Sequence, residues 1–267
     1  MATTLTPGWT PVFGEHGSLR ELHLEGQQII RPWGFETADA CAFFSLETGG
    51  WGSTILHSEI TSTHTSQTIS LTSRMAEGLW TAKLEDTVSG GQITRRLRYF
   101  AEEDTWAMDL VMRFAFARSA VCAAEIAGRT ITWDGTNLYH QYEVSEALLR
   151  VGERRIRIFV SESEYPDEWR LCTYVRCSPS EDAWVVHIRL LPSTWRREII
   201  KWRWLGSRHA VFPEWASRWV LRIPSVARHL RYAGEHRRLL GSRLNAYPLV
   251  LIPKGTVIEL KAEAELL

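Results

Sequence analysis

The chain has 267 residues, 45% of them hydrophobic and 23% charged, and its 31 basic side chains balance 31 acidic ones. That composition excludes a disordered segment, and no apolar run of about 20 residues is present to cross a bilayer. With no linker or low-complexity tract, residues 1–267 read as a single domain. Residues 1–8 have neither the basic start nor the apolar stretch of a signal peptide, so a cytoplasmic location is expected.

Candidate strands follow from two-residue alternation of apolar side chains. In chain order they are Leu19–Leu24, Gln67–Leu71, Leu79–Thr87, Ile93–Phe100, Trp106–Phe116, Thr130–Trp133 and Arg155–Val160. Leu171–Arg176, Trp184–Leu190, Trp202–Leu205, Trp219–Ile223, Leu249–Ile252 and Thr256–Leu266 complete the series. The clearest case is Trp106–Phe116, where Trp106, Met108, Leu110, Met112, Phe114 and Phe116 are predicted to share one buried face. Turn residues punctuate the pattern, as in Ser89-Gly90-Gly91 and Pro253-Lys254-Gly255. Short helices are expected only in Ser193–Lys201 and in Ser225–Leu240, which opens on a capping serine. A dozen or more strands with short turns must fold on themselves. The fold class is therefore all-β, a large antiparallel β-sandwich with few short helices.

Charge is spread unevenly. Residues 1–149 hold 10 basic and 18 acidic side chains, whereas residues 150–243 hold 19 basic and 10 acidic, 18 of the 19 being Arg. Two readings compete: Arg alternating outward on solvated strands, as at Arg155, Arg157 and Arg189, or a surface for anionic sugars, phosphates or nucleic acid. The first is preferred, because acids are interspersed and no Gly-rich or RNP-like motif accompanies the Arg residues.

The four cysteines, Cys41, Cys122, Cys172 and Cys177, fit no zinc spacing and read as reduced and mostly buried. Ten of the 13 tryptophans fall into two groups. Trp80, Trp106, Trp133, Trp184 and Trp219 read as filling between sheets; Trp9, Trp33, Trp51, Trp169 and Trp215 lie beside Gly or Pro, in loops suited either to stack a sugar ring or to cap the core. Among nine histidines, His187 alternates with apolar neighbours and reads as an outward-facing strand residue. His140 stands out, because the polar cluster Asn137-Leu138-Tyr139-His140-Gln141-Tyr142 interrupts the β pattern. No H-E-x-x-H, G-x-S-x-G or phosphate-loop motif occurs.

In order along the chain, several segments resemble the galactose mutarotase-like (aldose 1-epimerase) family. They are the opening Gly17–Gly26 hairpin ending in Ile30-Arg31-Pro32, the Thr48-Gly49-Gly50-Trp51 turn, Gly78-Leu79-Trp80, the hairpin Ile93–Phe100 with Trp106–Phe116, Asn137–His140, and Pro248–Gly255 before the last strand. The resemblance implies a β-supersandwich and ring opening of an aldose by a His acid and a Glu base, without metal or cofactor. Carried over by position, His140 becomes the acid, with Glu214 or Glu235 as the base. Arg74, Arg98, Trp51, His64, Tyr142, His209 and Trp215 become substrate contacts. The chain departs from the family in Gly52-Ser53, where relatives carry an acid, and in lacking the His-Gly pair that follows it. The partner implied is a small molecule, a sugar, with neither nucleic acid nor membrane. The alternatives are a glycan-binding scaffold without turnover and a cyclase or isomerase acting on an apolar molecule in a Trp-lined pocket. Oligomeric state stays open.

Overall fold

Along Ser66–Met75 every second side chain is buried, from Gln67 through Ile69, Leu71 and Ser73 to Met75. Such two-residue alternation is the mark of a strand with one face on a core. The computed structural model describes residues 9–14, 19–39, 43–46, 53–75, 77–205, 208–231 and 244–267. Its first strands are β1 (Thr10–Phe13), β2 (Leu19–Leu24), β3 (Gln27–Gln28), β4 (Gly34–Asp39), β5 (Phe43–Ser45), β6 (Ser53–Ser62) and β7 (Ser66–Met75). They continue with β8 (Gly78–Ser89), β9 (Gln92–Ala101), β10 (Thr105–Ala117), β11 (Ala123–Ile126), β12 (Arg129–Ile131), β13 (Leu138–Tyr142) and β14 (Glu146–Val151). Then come β15 (Arg154–Glu164), β16 (Trp169–Cys177), β17 (Ala183–Pro192), β18 (Arg197–Leu205) and β19 (Arg208–Val211). Two helices, α1 (Glu214–Val220) and α2 (Pro224–Arg231), precede β20 (Leu244–Ile252) and β21 (Val257–Leu266).

The strands form two large antiparallel sheets and a small one made of β1, β2 and β3. One large sheet runs β12-β11-β14-β15-β21-β9-β8-β7-β6. The other runs β13-β16-β17-β10-β20-β18-β19, with β4 on the far edge of β10 and β5 beyond it. Their inner faces meet in one core, where Trp33 packs against Phe114 with ring centroids 4.8 Å apart and Trp80 against Tyr99 at 4.0 Å. Antiparallel sheets stacked in this way make an all-β sandwich.

A fully buried ion pair ties the two layers together. Arg95 on β9 is 0% exposed and Asp86 on β8 only 2%, with Arg95 Nε donating to Asp86 Oδ1 at 2.7 Å. The same guanidinium reaches across to the other sheet and donates to the carbonyls of Arg113 (2.7 Å) and Gly34 (3.3 Å). It lies over the rings of Phe35, Phe114 and Trp33. A buried charge persists only when paired and fully hydrogen-bonded, and this one is.

Gly78 opens β8 at φ +147°, where a Cβ would lie 2.4 Å from Thr105 Cβ. Thr105 is itself buried, so it cannot yield. Gly78→Ala combines backbone strain with overpacking and is expected to cost about 3 kcal/mol, roughly 6–12 °C in Tm by calorimetry.

Two local expectations are corrected, and a third is met as far as the described residues reach. Trp219–Ile223 is not a strand: Trp219 lies in α1, and the Ser217 Oγ on that helix accepts the Ile200 N–H at 3.1 Å, docking it on β18. Ser193–Lys201 is not a helix; its second half is β18, where Ile199 and Ile200 point to opposite faces and each enters a separate apolar cluster. Burial on both faces favours an extended chain there over helical propensity. Of Ser225–Leu240, α2 ends at Arg231 and residues 232–240 lie outside the described residues. Among the tryptophans, Trp9, Trp33 and Trp169 are buried, in agreement with the core-capping alternative, whereas Trp219, read as filling between sheets, is exposed. Cys172 and Cys177 are buried free thiols and Cys122 is an exposed one; Cys41 lies outside the described residues.

Candidate functional site

The alternation along β10 does not hold over its whole length. Its pairing with β4 slips between Ala107 and Asp109. Ala107 and Leu110 both enter the main core, whereas Met108 joins a separate cluster with Ile199 and Leu249. An extra residue of this kind is a β-bulge, and it re-aims the side chains that follow. Here it delivers Asp109, Val111 and Arg113 to the sheet face that points away from the core. The predicted single face from Trp106 to Phe116 is therefore two faces.

Register places polar groups from four more strands on that outer face. Val111 stands opposite Arg189 and Glu36, and Arg113 opposite His187. Tyr174 pairs with His187 and Cys172 with Arg189, while Tyr139 faces Arg176 and Gln141 faces Tyr174. The face thus carries Glu36 from β4, Asp109 and Arg113 from β10, His187 and Arg189 from β17, Tyr174 and Arg176 from β16, and Tyr139 and Gln141 from β13.

These groups form one hydrogen-bonded network. Arg189 donates to both Asp109 oxygens, at 3.1 Å from Nε to Oδ1, and its Nη1 donates to Tyr139 Oη (3.2 Å) and Gln141 Oε1 (3.1 Å). Tyr139 Oη in turn donates to Gln141 at 2.7 Å. The Tyr174 ring packs on Tyr139 and on His187, at 4.8 and 4.3 Å between centroids. His187 Nε2 lies 3.4 Å from Tyr174 Oη and 3.9 Å from Glu36 Oε2. Arg113 Nε lies 3.6 Å from the same carboxylate, on Oε1.

Burial decides the protonation states. Desolvation raises the pKa of Asp109, although Arg189 opposes it. Burial disfavours the Arg189 charge, but Asp109 and the two tyrosine hydroxyls more than compensate, so Arg189 stays charged. Burial also pushes up the Tyr139 and Tyr174 hydroxyls. Glu36 is raised, chiefly by desolvation and also by the nearby Asp109 carboxylate, against the opposing pull of Arg113, Arg176 and Arg189. His187 is driven well below 6.5 by burial and by the neighbouring Arg176, Arg113 and Arg189, and is neutral at neutral pH.

A His with a depressed folded pKa binds fewer protons than in the unfolded chain. Stability is therefore lost as pH falls below 6.5, by at most about 1.4 kcal/mol per pH unit. His187→Gln is expected to flatten the Tm-versus-pH curve between pH 6.5 and 5; an unchanged slope would contradict a buried neutral imidazole.

Among the described residues no group of three or more His, Cys, Asp or Glu is placed to hold a metal ion. The chemistry available is proton transfer at Glu36, the acid open to solvent, beside the cations Arg113 and Arg176.

No protein-family model matches the chain, and no curated protein matches it either. Solved structures do. A galactose mutarotase related enzyme from Lactobacillus acidophilus superposes with a TM-score of 0.52 at 8% identity, covering 98% of this chain and 95% of that one. An Escherichia coli K12 protein assigned by name to the aldose 1-epimerases superposes at 0.53 and 7% identity, covering 94% and 93%. The chain has the galactose mutarotase-like fold.

Within that fold the residues carried over by position do not converge. His140 lies opposite Val175 in the ladder, so it shares its side of β13 with Leu138 and Tyr142, while Tyr139 and Gln141 take the polar face. Its ring stacks on Tyr142 at 6.5 Å, and Arg129 covers Tyr142. Glu214 sits on α1, held by Arg218 at 2.7 Å and Arg197 at 3.5 Å. Arg74 and Arg98 belong to the other large sheet, paired with Glu103 and Glu259. His64 is in the exposed β6–β7 turn, and Trp215 is exposed on α1. The His209 backbone pairs in β19 but its side chain lies outside the described residues, as do Trp51 and Glu235 entirely. One-residue parity decides the case of His140, since neighbouring side chains of a strand take opposite faces. The polar residues that do meet had a signal in sequence: Asp109 and Arg113, His187 and Arg189, Tyr174 and Arg176, and Tyr139 and Gln141 each stand two apart on the off-beat of an apolar strand.

Proposed function

We propose that the protein is a sugar-acting isomerase of the mutarotase type, working from the outer face of the β13-β16-β17-β10-β4 array. The observation that supports this is Glu36, a half-buried carboxylate with Arg113 at 3.6 Å and neutral His187 at 3.9 Å. An oxygen about 2.8 Å from both Glu36 Oε2 and His187 Nε2 fits within that spacing, which is the reach a sugar hydroxyl needs. The fold shared with a galactose mutarotase related enzyme is the second support.

Glu36 takes the proton of the anomeric hydroxyl as the bond from C1 to the ring oxygen breaks and C1 becomes a carbonyl. The same proton then passes from Glu36 to the ring oxygen, originally attached to the same carbon. Arg113 and Arg176 stabilise the negative charge that develops there. Rotation about C1–C2 and the reverse steps close the other anomer. His187, held neutral, holds the sugar hydroxyl against Glu36 through a hydrogen bond at Nε2.

Saturation-transfer NMR on free hexoses and hexose phosphates tests the reading. Exchange between anomers faster than in protein-free buffer is the expected result. Binding without exchange would replace it with the glycan-binding scaffold, and neither binding nor exchange would end both.

A further inference from the structure

The zero net charge of the chain conceals a strong separation. Residues 193–243 hold 12 basic side chains and 3 acidic ones, leaving 19 basic against 28 acidic elsewhere. The same 51 residues hold Trp195, Trp202, Trp204, Trp215 and Trp219. In the structure this segment supplies β18 and β19, the last two strands in the order of the second sheet, and α1 and α2, which lie against β18 and β20.

Its aromatic side chains are unusually open. Trp215 is 76% and Trp219 68% exposed, and Trp195, Trp202 and Ile223 are exposed as well. Trp215 and Trp219 stand four apart on α1, side by side on one face of the helix. Next to them a cavity of about 230 Å³ opens between the start of β18 and α1, lined by Arg196, Arg197, Arg218 and Arg222 with Glu198 and Glu214. Glu214 is used up by Arg218 and Arg197, and Glu77 also binds Arg197. Arg196 and Arg222 have no carboxylate partner among the described residues.

We infer that this face is a peripheral contact for an anionic bilayer. Indole rings partition to the headgroup level of a membrane, where an apolar body and a polar N–H are both satisfied. Arginine beside them complements lipid phosphates, and each basic residue near such a surface adds about 1 kcal/mol. Two exposed indoles on one short helix, beside Arg196 and Arg222, which have no carboxylate partner among the described residues, supply both requirements at one place. Single-stranded nucleic acid also attracts Arg and Trp, but it calls for stacking platforms spaced along a groove rather than two rings on a convex helix. The contact is a peripheral one, no helix among the described residues being long and apolar enough to cross a membrane, and it does not depend on the isomerase reading.

Flotation of the full chain with phosphatidylcholine vesicles, with and without phosphatidylglycerol, tests the inference. The protein is expected to float only with the anionic vesicles. Trp215→Ser with Trp219→Ser is expected to weaken partitioning about tenfold per indole, and Arg196→Gln with Arg222→Gln about fivefold per arginine. All four side chains are exposed, and unchanged circular dichroism confirms that the variants fold. No flotation, or flotation unaffected by the tryptophan substitutions, overturns it. So does tighter binding to a single-stranded oligonucleotide than to the vesicles, or a dimer in sedimentation that the tryptophan substitutions dissolve.

Discussion

Glu36→Gln is expected to reduce anomer exchange by about 100- to 10,000-fold, the usual contribution of a positioned proton-transfer group. The amide keeps the shape of the side chain and its contact with Arg113, but it cannot accept the hydroxyl proton. Because Glu36 is half-buried at the rim of the network, the substitution should leave the thermal unfolding curve nearly unchanged. Loss of rate with intact fold separates a reacting group from a supporting one. The pH profile adds a second readout. Exchange should rise with pH through a single ionisation above 4.5, the ordinary Glu value, because burial raises Glu36. No inflection is expected near 6.5, because His187 stays neutral through that range. A falling limb there would give His187 the acid role and require a different proton path. His187→Gln should raise KM more than it lowers kcat, as befits a residue that holds the substrate hydroxyl without exchanging a proton with it.

The second large effect is on stability. Asp86→Ala leaves the Arg95 guanidinium charged, 0% exposed and deprived of the carboxylate that accepts from its Nε and Nη2. Stripping one partner from a buried pair costs about 3–5 kcal/mol, against a total stability of about 5–15 kcal/mol. In denaturant melts the midpoint should fall by a large fraction, and the variant should lie close to unfolding at physiological temperature. The double variant Asp86→Leu with Arg95→Leu should recover much of that loss, because two apolar side chains of similar volume do not strand a charge. If the double variant is as unstable as the single one, the energy lies in the Arg95 hydrogen bonds to Gly34 and Arg113 rather than in the charge pair. Those two carbonyls lie on β4 and β10, the strands that carry Glu36 and Arg113. A partly rescued double variant with impaired exchange would therefore show that Arg95 also holds the site strands in register.

The physical source of legibility differs between fold and site. Strand periodicity is local: Ile258, Leu260, Ala262 and Ala264 on β21 are buried, and their alternation is visible without any tertiary contact. Of the thirteen predicted strands all but Trp219–Ile223 overlap a strand of the structure, and the all-β sandwich they imply is there as well. The segments misread are those in which local pattern and global packing disagree. Trp219, Leu221 and Ile223 alternate like a strand, yet a serine buried against Ile200 docks them as part of a helical turn.

The polar face escapes such reading for a stricter reason. Each of its members looks like an ordinary solvated off-beat residue, and the distances that unite Glu36, Asp109, His187 and Arg189 span as many as 151 positions along the chain, to Glu36 from His187. Only a bulge at Ala107–Asp109 brings Asp109 round to Arg189, and only strand register turns His140 away while admitting Tyr139 and Gln141. Alternation can be read from single residues because it is a property of backbone geometry. Which strands become neighbours, and with what offset, depends on pairings between distant segments, and a shift of one residue exchanges a sheet's two faces. The kind of layer is thus written locally, whereas the membership of its polar face is a consequence of assembly.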